Sequence, residues 1–118
     1  MQRILHVTLA ILVGMGQLAQ ANSTDGPGST TTTIDALSVD NFQVTHIGGI
    51  PAQVRIKSFG ATYLEVVVLD DLGREVAYGT DKSIDQIVLS WLPDRTQKFT
   101  VKVINRAPTS NVYFISTN

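Results

Sequence analysis

The side chains of this sequence with most capacity for chemistry are carboxylates. Asp70, Asp71, Asp81 and Asp85 offer hard oxygen ligands, and loops that brought all four together would supply part of a calcium site. Such a site takes roughly six to eight oxygens, several of them from carboxylates converging on one point. Turn formation and solubility account for each aspartate without a metal, so neither a metal nor another cofactor is expected. Asp70 and Asp71 do not form the paired carboxylates of a glycosidase, because neighbouring residues on a strand point to opposite faces. His46 is the one histidine beyond residue 21. A hydrolase of the Ser-His-Asp type would have to combine it with Ser58, Ser83, Ser90, Ser110 or Ser116. No serine lies in a Gly-x-Ser-x-Gly turn, and His46, in an edge-like run before Gly48-Gly49, reads as a partly exposed histidine near a turn. That glycine pair has no following helix or lysine and is not a phosphate loop. No catalytic residue is assigned, and the chain is expected not to be an enzyme. Trp91, Tyr63, Tyr78 and Tyr113 would serve as a stacking platform for sugars, yet large aromatics in a small domain belong more often to the core.

The elements that must position these residues begin with a leader. Arg3 precedes an apolar run from Ile4 to Met15, and Ala19-Gln20-Ala21 has the small-x-small pattern of a signal-peptidase site. The run is shorter than the roughly 20 apolar residues of a membrane span, so residues 1–21 read as a secretory signal and no stable membrane anchor is expected after cleavage. The remaining chain has about 97 residues, enough for one modest core. With Arg3 removed, eight Lys and Arg face ten Asp and Glu. That scattered balance lacks the clustered basic face of a nucleic-acid binder, so no nucleic acid is expected as partner. The absence of cysteine removes disulfides, thiolate metal sites and lipoprotein attachment, leaving burial alone to hold an exported fold. Residues 22–39 are rich in Ser, Thr, Gly, Asp and Pro and read as a flexible tether. Asn22-Ser23-Thr24 within it is formally a glycosylation sequon.

From Asp40 onward, short runs rich in Val, Ile, Thr, Tyr and Phe alternate with polar residues and are punctuated by Gly, Pro, Asn and Asp. The pattern predicts strands at 41–47, 52–59, 62–70, 73–79, 85–91, 98–105 and 111–117. The run from Leu64 to Leu69 is apolar on both faces apart from Glu65 and is expected to be a central strand. Asp70-Asp71-Leu72-Gly73 has the residues of a tight hairpin, with Gly73 free to take the positive φ that closes it. Pro93 removes a ladder donor and ends the strand at Trp91. Trp91, alternating with Ser90, is expected in the core against Val66, Val101 and Tyr113. Seven short strands without a persuasive helix predict an all-β fold, an antiparallel β-sandwich over residues 40–118.

The string Gly48-Gly49-x-Pro51-Ala52-x-Val54, Leu64-x-Val66-x-Val68-x-Asp70-x-x-Gly73, Asp85 with Leu89-Ser90-Trp91-x-Pro93, Phe99-Thr100-Val101-x-Val103-x-Asn105 and Asn111-x-Tyr113-x-x-x-Thr117-Asn118 resembles the bacterial pre-peptidase C-terminal domain family. The resemblance covers residues 40–118. It implies a small jelly-roll-like β-sandwich with no catalysis of its own, commonly appended to exported enzymes, some relatives binding calcium or extracellular polymers such as collagen. Two departures matter. No attached catalytic domain is expected, so any role in secreting or guiding an enzyme would act in trans or be absent. Tyr63 stands where many relatives carry an aspartate, which weakens the case for a calcium site like theirs. The expectation is a non-enzymatic, secreted or periplasmic binding or accessory domain whose partner is an exported protein or extracellular polymer. Two alternatives differ in their sites. A carbohydrate-binding module needs two or more exposed aromatics on one face. A small hydrolase or peptidase inhibitor needs a rigid exposed loop, such as 92–97.

Overall fold

The computed structural model describes residues 7–8, 28–82 and 84–118. The expected cleavage point after Ala21 and the sequon at Asn22 lie outside them. The strands are β1 (Val7–Thr8), β2 (Gly28–Ile34), β3 (Ser38–His46), β4 (Ala52–Ser58), β5 (Glu65–Leu69), β6 (Glu75–Thr80), β7 (Ile87–Trp91), β8 (Gln97–Asn105) and β9 (Asn111–Thr117). No helix occurs among the described residues. Apart from β1, which lies parallel along Phe42 and Gln43 of β3, every pairing is antiparallel.

The two sheets run β1-β3-β8-β5-β6 and β2-β9-β4-β7. Their logic is that of one long hairpin rolled up. β5 pairs with β6, β4 with β7, β3 with β8 and β2 with β9, and two further pairings, β5 with β8 and β4 with β9, close the roll into a jelly-roll sandwich. The hairpin's midpoint is the turn after β5. Asp70 accepts from the Gly73 amide (3.0 Å), the Asp70 amide reaches the Arg74 carbonyl (2.9 Å), and Gly73 takes φ 81°, a turn whose last residue needs the left-handed conformation that costs glycine nothing.

Alternation decides which side chains meet between the sheets. β8 reads buried at every odd position from Gln97 to Asn105, and β3 and β9 likewise bury alternate residues. Phe42, Val66, Val68, Val101 and Val103 of one sheet and Ile34, Val54, Ile56, Tyr113 and Ile115 of the other build one apolar core. β5 lies between β8 and β6, in the sheet interior as its apolar run predicts.

Three expectations need correction. Gly28–Ile34 is a strand paired along its whole length with β9, so the tether does not extend over 22–39. Ile34 is fully buried and β3 starts already at Ser38. Composition misleads here because Thr is a good strand former and β2 is an edge strand, half of whose side chains face water. The sandwich therefore has eight antiparallel strands rather than seven. Trp91 is only partly buried; it packs against the core's rim, edge-on to His46 and Phe99 at 5.3 Å each, while Tyr113 is buried against Phe42 and donates to Asp40 Oδ2 (2.8 Å). His46 is buried, not partly exposed.

Candidate functional site

Three loops gather at one end of the sandwich, between β3 and β4, β5 and β6, and β7 and β8. They are braced to one another. The Gly48 amide donates to Thr96 Oγ1 (3.0 Å) and the Gly49 amide to the Pro93 carbonyl (2.8 Å). Arg95 donates to Asp71 Oδ1 (2.7 Å). Gln97, buried at the foot of β8, accepts from the Asp71 amide (3.1 Å) and donates to Asp94 Oδ1 (3.1 Å). Gly48 approaches the neighbouring loop so closely that a Cβ would stand 2.5 Å from Arg95 Cα. Asp70 holds the hairpin from inside, its carboxylate accepting from the amides of Leu72 (3.0 Å) and Arg74 (2.8 Å) and from Arg74 Nε (2.9 Å). The Arg74 amide, with its guanidinium and the Leu72 amide behind it, keeps the Asp70 carboxyl below the usual carboxylate range.

On this braced frame Ile47, Ile50, Leu72 and Leu92 are each more than half exposed. An open groove of about 450 Å³, which Leu92 alone of these four lines, also has Trp91, Phe99, Arg74, Glu75 and Asp94 in its walls. Trp91 Nε1 is buried without a hydrogen-bond acceptor among the described residues, an unmet donor of the kind that asks for an explanation. Beneath the groove His46 Nε2 lies 3.2 Å from Thr117 Oγ1, and burial pushes the imidazole pKa down. No serine nucleophile is hydrogen-bonded to it among the described residues; its surroundings are Trp91, Phe99 and Thr117.

The four aspartates do not converge. Asp70 and Asp71 sit before β6 and Asp81 and Asp85 after it, at opposite ends of a six-residue strand, roughly 20 Å at strand rise. Asp81 accepts from the Leu64 amide (2.7 Å), and Asp85 is exposed. The condition under which they would share a cation, that the two loops meet, is not met at this separation. Among the described residues no three His, Asp or Glu side chains are grouped to hold a metal. Of the four aromatics, Tyr113 is core, Trp91 partly buried, and Tyr63 and Tyr78 about half exposed. The sequence reading misses Ile47, Ile50 and Leu72 altogether. Their signal is apolar residues in turn segments beside Gly48, Pro51 and Gly73, where neither strand nor core demands them.

No protein-family model matches the sequence, and no curated protein matches it. Solved structures do. The pre-peptidase C-terminal domain of a collagenase from Bacillus anthracis superposes with a TM-score of 0.61 at 14% identity, covering 76% of this chain and 89% of that one. PliG of Aeromonas hydrophila, a periplasmic inhibitor of g-type lysozyme, gives 0.64 at 10% identity over 100% and 98%. PirA gives 0.55 at 16% identity over 76% and 93%. At such identities the likeness is one of fold, and the chain is an all-β sandwich like the pre-peptidase C-terminal domain.

Proposed function

We propose that this chain is a non-enzymatic exported accessory domain that docks on another exported protein, a hydrolase, through its braced loop end. The observation that carries the reading is the combination of exposure and rigidity there. Ile47, Ile50, Leu72 and Leu92 stand in water on loops that are tied together by Gly48–Thr96, Gly49–Pro93 and Asp71–Arg95. Large apolar side chains on a preorganised frame bind a partner without the entropy cost of ordering a mobile loop, and clustered apolar anchors with charges around them are what interface centres are made of. Fold likeness to a periplasmic lysozyme inhibitor and to a collagenase's accessory domain supports export and a non-catalytic role. The signal-like pattern of residues 1–21 supports export as well.

The test is inhibition of a purified g-type lysozyme, and of a panel of other bacterial cell-wall hydrolases, by the chain at micromolar concentration. Inhibition of one of them, weakened at least about tenfold by Leu72→Asp or Leu92→Asp, is the expected result, since losing one well-buried anchor is worth roughly 1.4 kcal/mol or more. Absence of inhibition across the panel, or inhibition indifferent to both substitutions, overturns the reading. Export has its own measurement. The intact mass of protein recovered outside the cytoplasm is expected to begin at Asn22, and a full-length chain retained in carbonate-washed membranes would contradict the signal.

A further inference from the structure

The opposite end of the molecule carries a second constellation that the loop-end reading does not use. On the outward face of the β5–β6 ladder Val67 stands opposite Tyr78 and Glu65 opposite Thr80. The same antiparallel count places Tyr63 beside Lys82, and the Lys82 ammonium does lie over the Tyr63 ring, 5.5 Å from its centroid. On the other flank Arg106 Nε donates to Glu65 Oε2 (2.8 Å), and that hydrogen-bonded carboxylate raises the guanidinium pKa further. Tyr63 and Tyr78 are both about half exposed. A hollow of about 310 Å³ opens between Tyr63, Glu65 and Arg106, its other walls being Thr62 and the small Ala61 and Ala107.

We propose that this face is a binding site for a neutral oligosaccharide, one sugar lying in the hollow against Tyr63 between Glu65 and Arg106, and the chain continuing toward Tyr78. The chemistry rests on the groups present. A pyranose presents a flat patch of C–H groups, slightly positive, that stacks on the electron-rich face of an aromatic ring, and a rim of hydroxyls that both donate and accept. The Glu65–Arg106 pair meets that rim from both sides, the carboxylate as acceptor and the guanidinium as a fork of donors. Because Glu65 and Arg106 already neutralise one another, the hollow between them does not call for a charged ligand, while the Lys82 ammonium lies over the Tyr63 ring. The hollow is at the lower end of the roughly 300–1,000 Å³ typical of small-ligand sites, which suits one ring. Tyr63 and Tyr78 are separated by four positions of the ladder, roughly 13 Å at strand rise, more than one sugar ring, so the ligand is an oligomer rather than a monosaccharide.

The experiment is a titration of the isotope-labelled chain with cellohexaose, chitohexaose and xylohexaose, followed by amide shifts, with an oligogalacturonate as the acidic comparison. Binding of at least one neutral hexamer is expected, with shifts centred on residues 61–66, 78–82 and 106–107. Tyr63→Ala and Arg106→Ala are each expected to weaken it by about tenfold or more, and Tyr63→Phe to retain it. Both residues are exposed, so the variants should melt like the parent, which the same samples report. Leu72→Asp and Leu92→Asp, at the other end, leave it unchanged, which keeps this site distinguishable from the docking surface. Failure of all three neutral hexamers at millimolar concentration, binding that ignores Tyr63→Ala, or binding of the oligogalacturonate alone would each overturn the proposal.

Discussion

At the scale of single residues, the sandwich hides polar groups where the sequence suggests plain surface. His46 alternates with Val44 and Phe42 on β3 and so faces inward, a parity already present in the 41–47 run and overridden in the sequence reading by the adjacent Gly48-Gly49 turn. Trp91 is harder to place. Alternation with Leu89 puts it on the inner face, but it is the last residue of an edge strand and the core narrows there, so its ring reaches only the rim. A buried histidine with a lowered pKa has a signed consequence. Its folded-state pKa lies below the unfolded value of roughly 6.5, so the unfolded chain takes up the proton first as pH falls. His46 therefore contributes its full stability above about pH 6.5 and loses it progressively below. Melting temperatures measured from about pH 7.5 to about pH 5 are expected to fall, and the His46→Phe variant to show a flatter profile through that window. Parallel profiles would mean that the imidazole already titrates in the folded state much as in water.

At the scale of elements, the strands from Ala52 onward are readable because period-two alternation survives wherever one face is buried and the other is wet, and the 111–117 run matches β9 residue for residue. The Asp70–Gly73 hairpin is readable for a different reason, since its residues carry their own local geometry. β2 is not. Ser-Thr-Thr-Thr-Thr has no apolar alternation, and only pairing with β9 through the full length of Thr30 to Ile34 and beyond makes it a strand, a relation between residues some eighty positions apart that no local window contains. The loop end is half readable: segment 92–97 reads as exposed, while its bracing by Gly48 and Asp71 depends on tertiary contact. That bracing is testable through Gly48, where a methyl group would meet Arg95 backbone rather than a yielding side chain. Gly48→Ala is expected to destabilise the fold by about 1–3 kcal/mol, as overpacking does, with amide shifts confined to the three loops, and to weaken docking of a partner there. An unchanged melt with unchanged loop shifts would mean that the loops part without cost.

At the scale of the whole molecule, the rolled-hairpin order dictates how closing one pair prepares the next. β5 and β6 are joined by a short turn, so their pairing closes little chain. β4 with β7, then β3 with β8, then β2 with β9 each enclose what came before. Loop-closure entropy grows with the length enclosed, so the inexpensive order runs from the Asp70 turn outward, and the pair that joins the first and last strands of the sandwich closes late. We predict a matching asymmetry in kinetics. Val68 of β5 and Ile34 of β2 are both fully buried, and truncation of either to alanine is expected to cost about 1–4 kcal/mol at equilibrium, the range for lost core methyl groups. For Val68→Ala the loss should fall largely on the folding rate, because its contacts exist already in the transition state. For Ile34→Ala it should fall on the unfolding rate, with folding nearly unchanged. Folding and unfolding limbs measured against urea separate the two cases. If Ile34→Ala slows folding as much as Val68→Ala does, closure does not proceed outward from the hairpin, and if Ile34→Ala costs no stability at all, β2 is a tether after all.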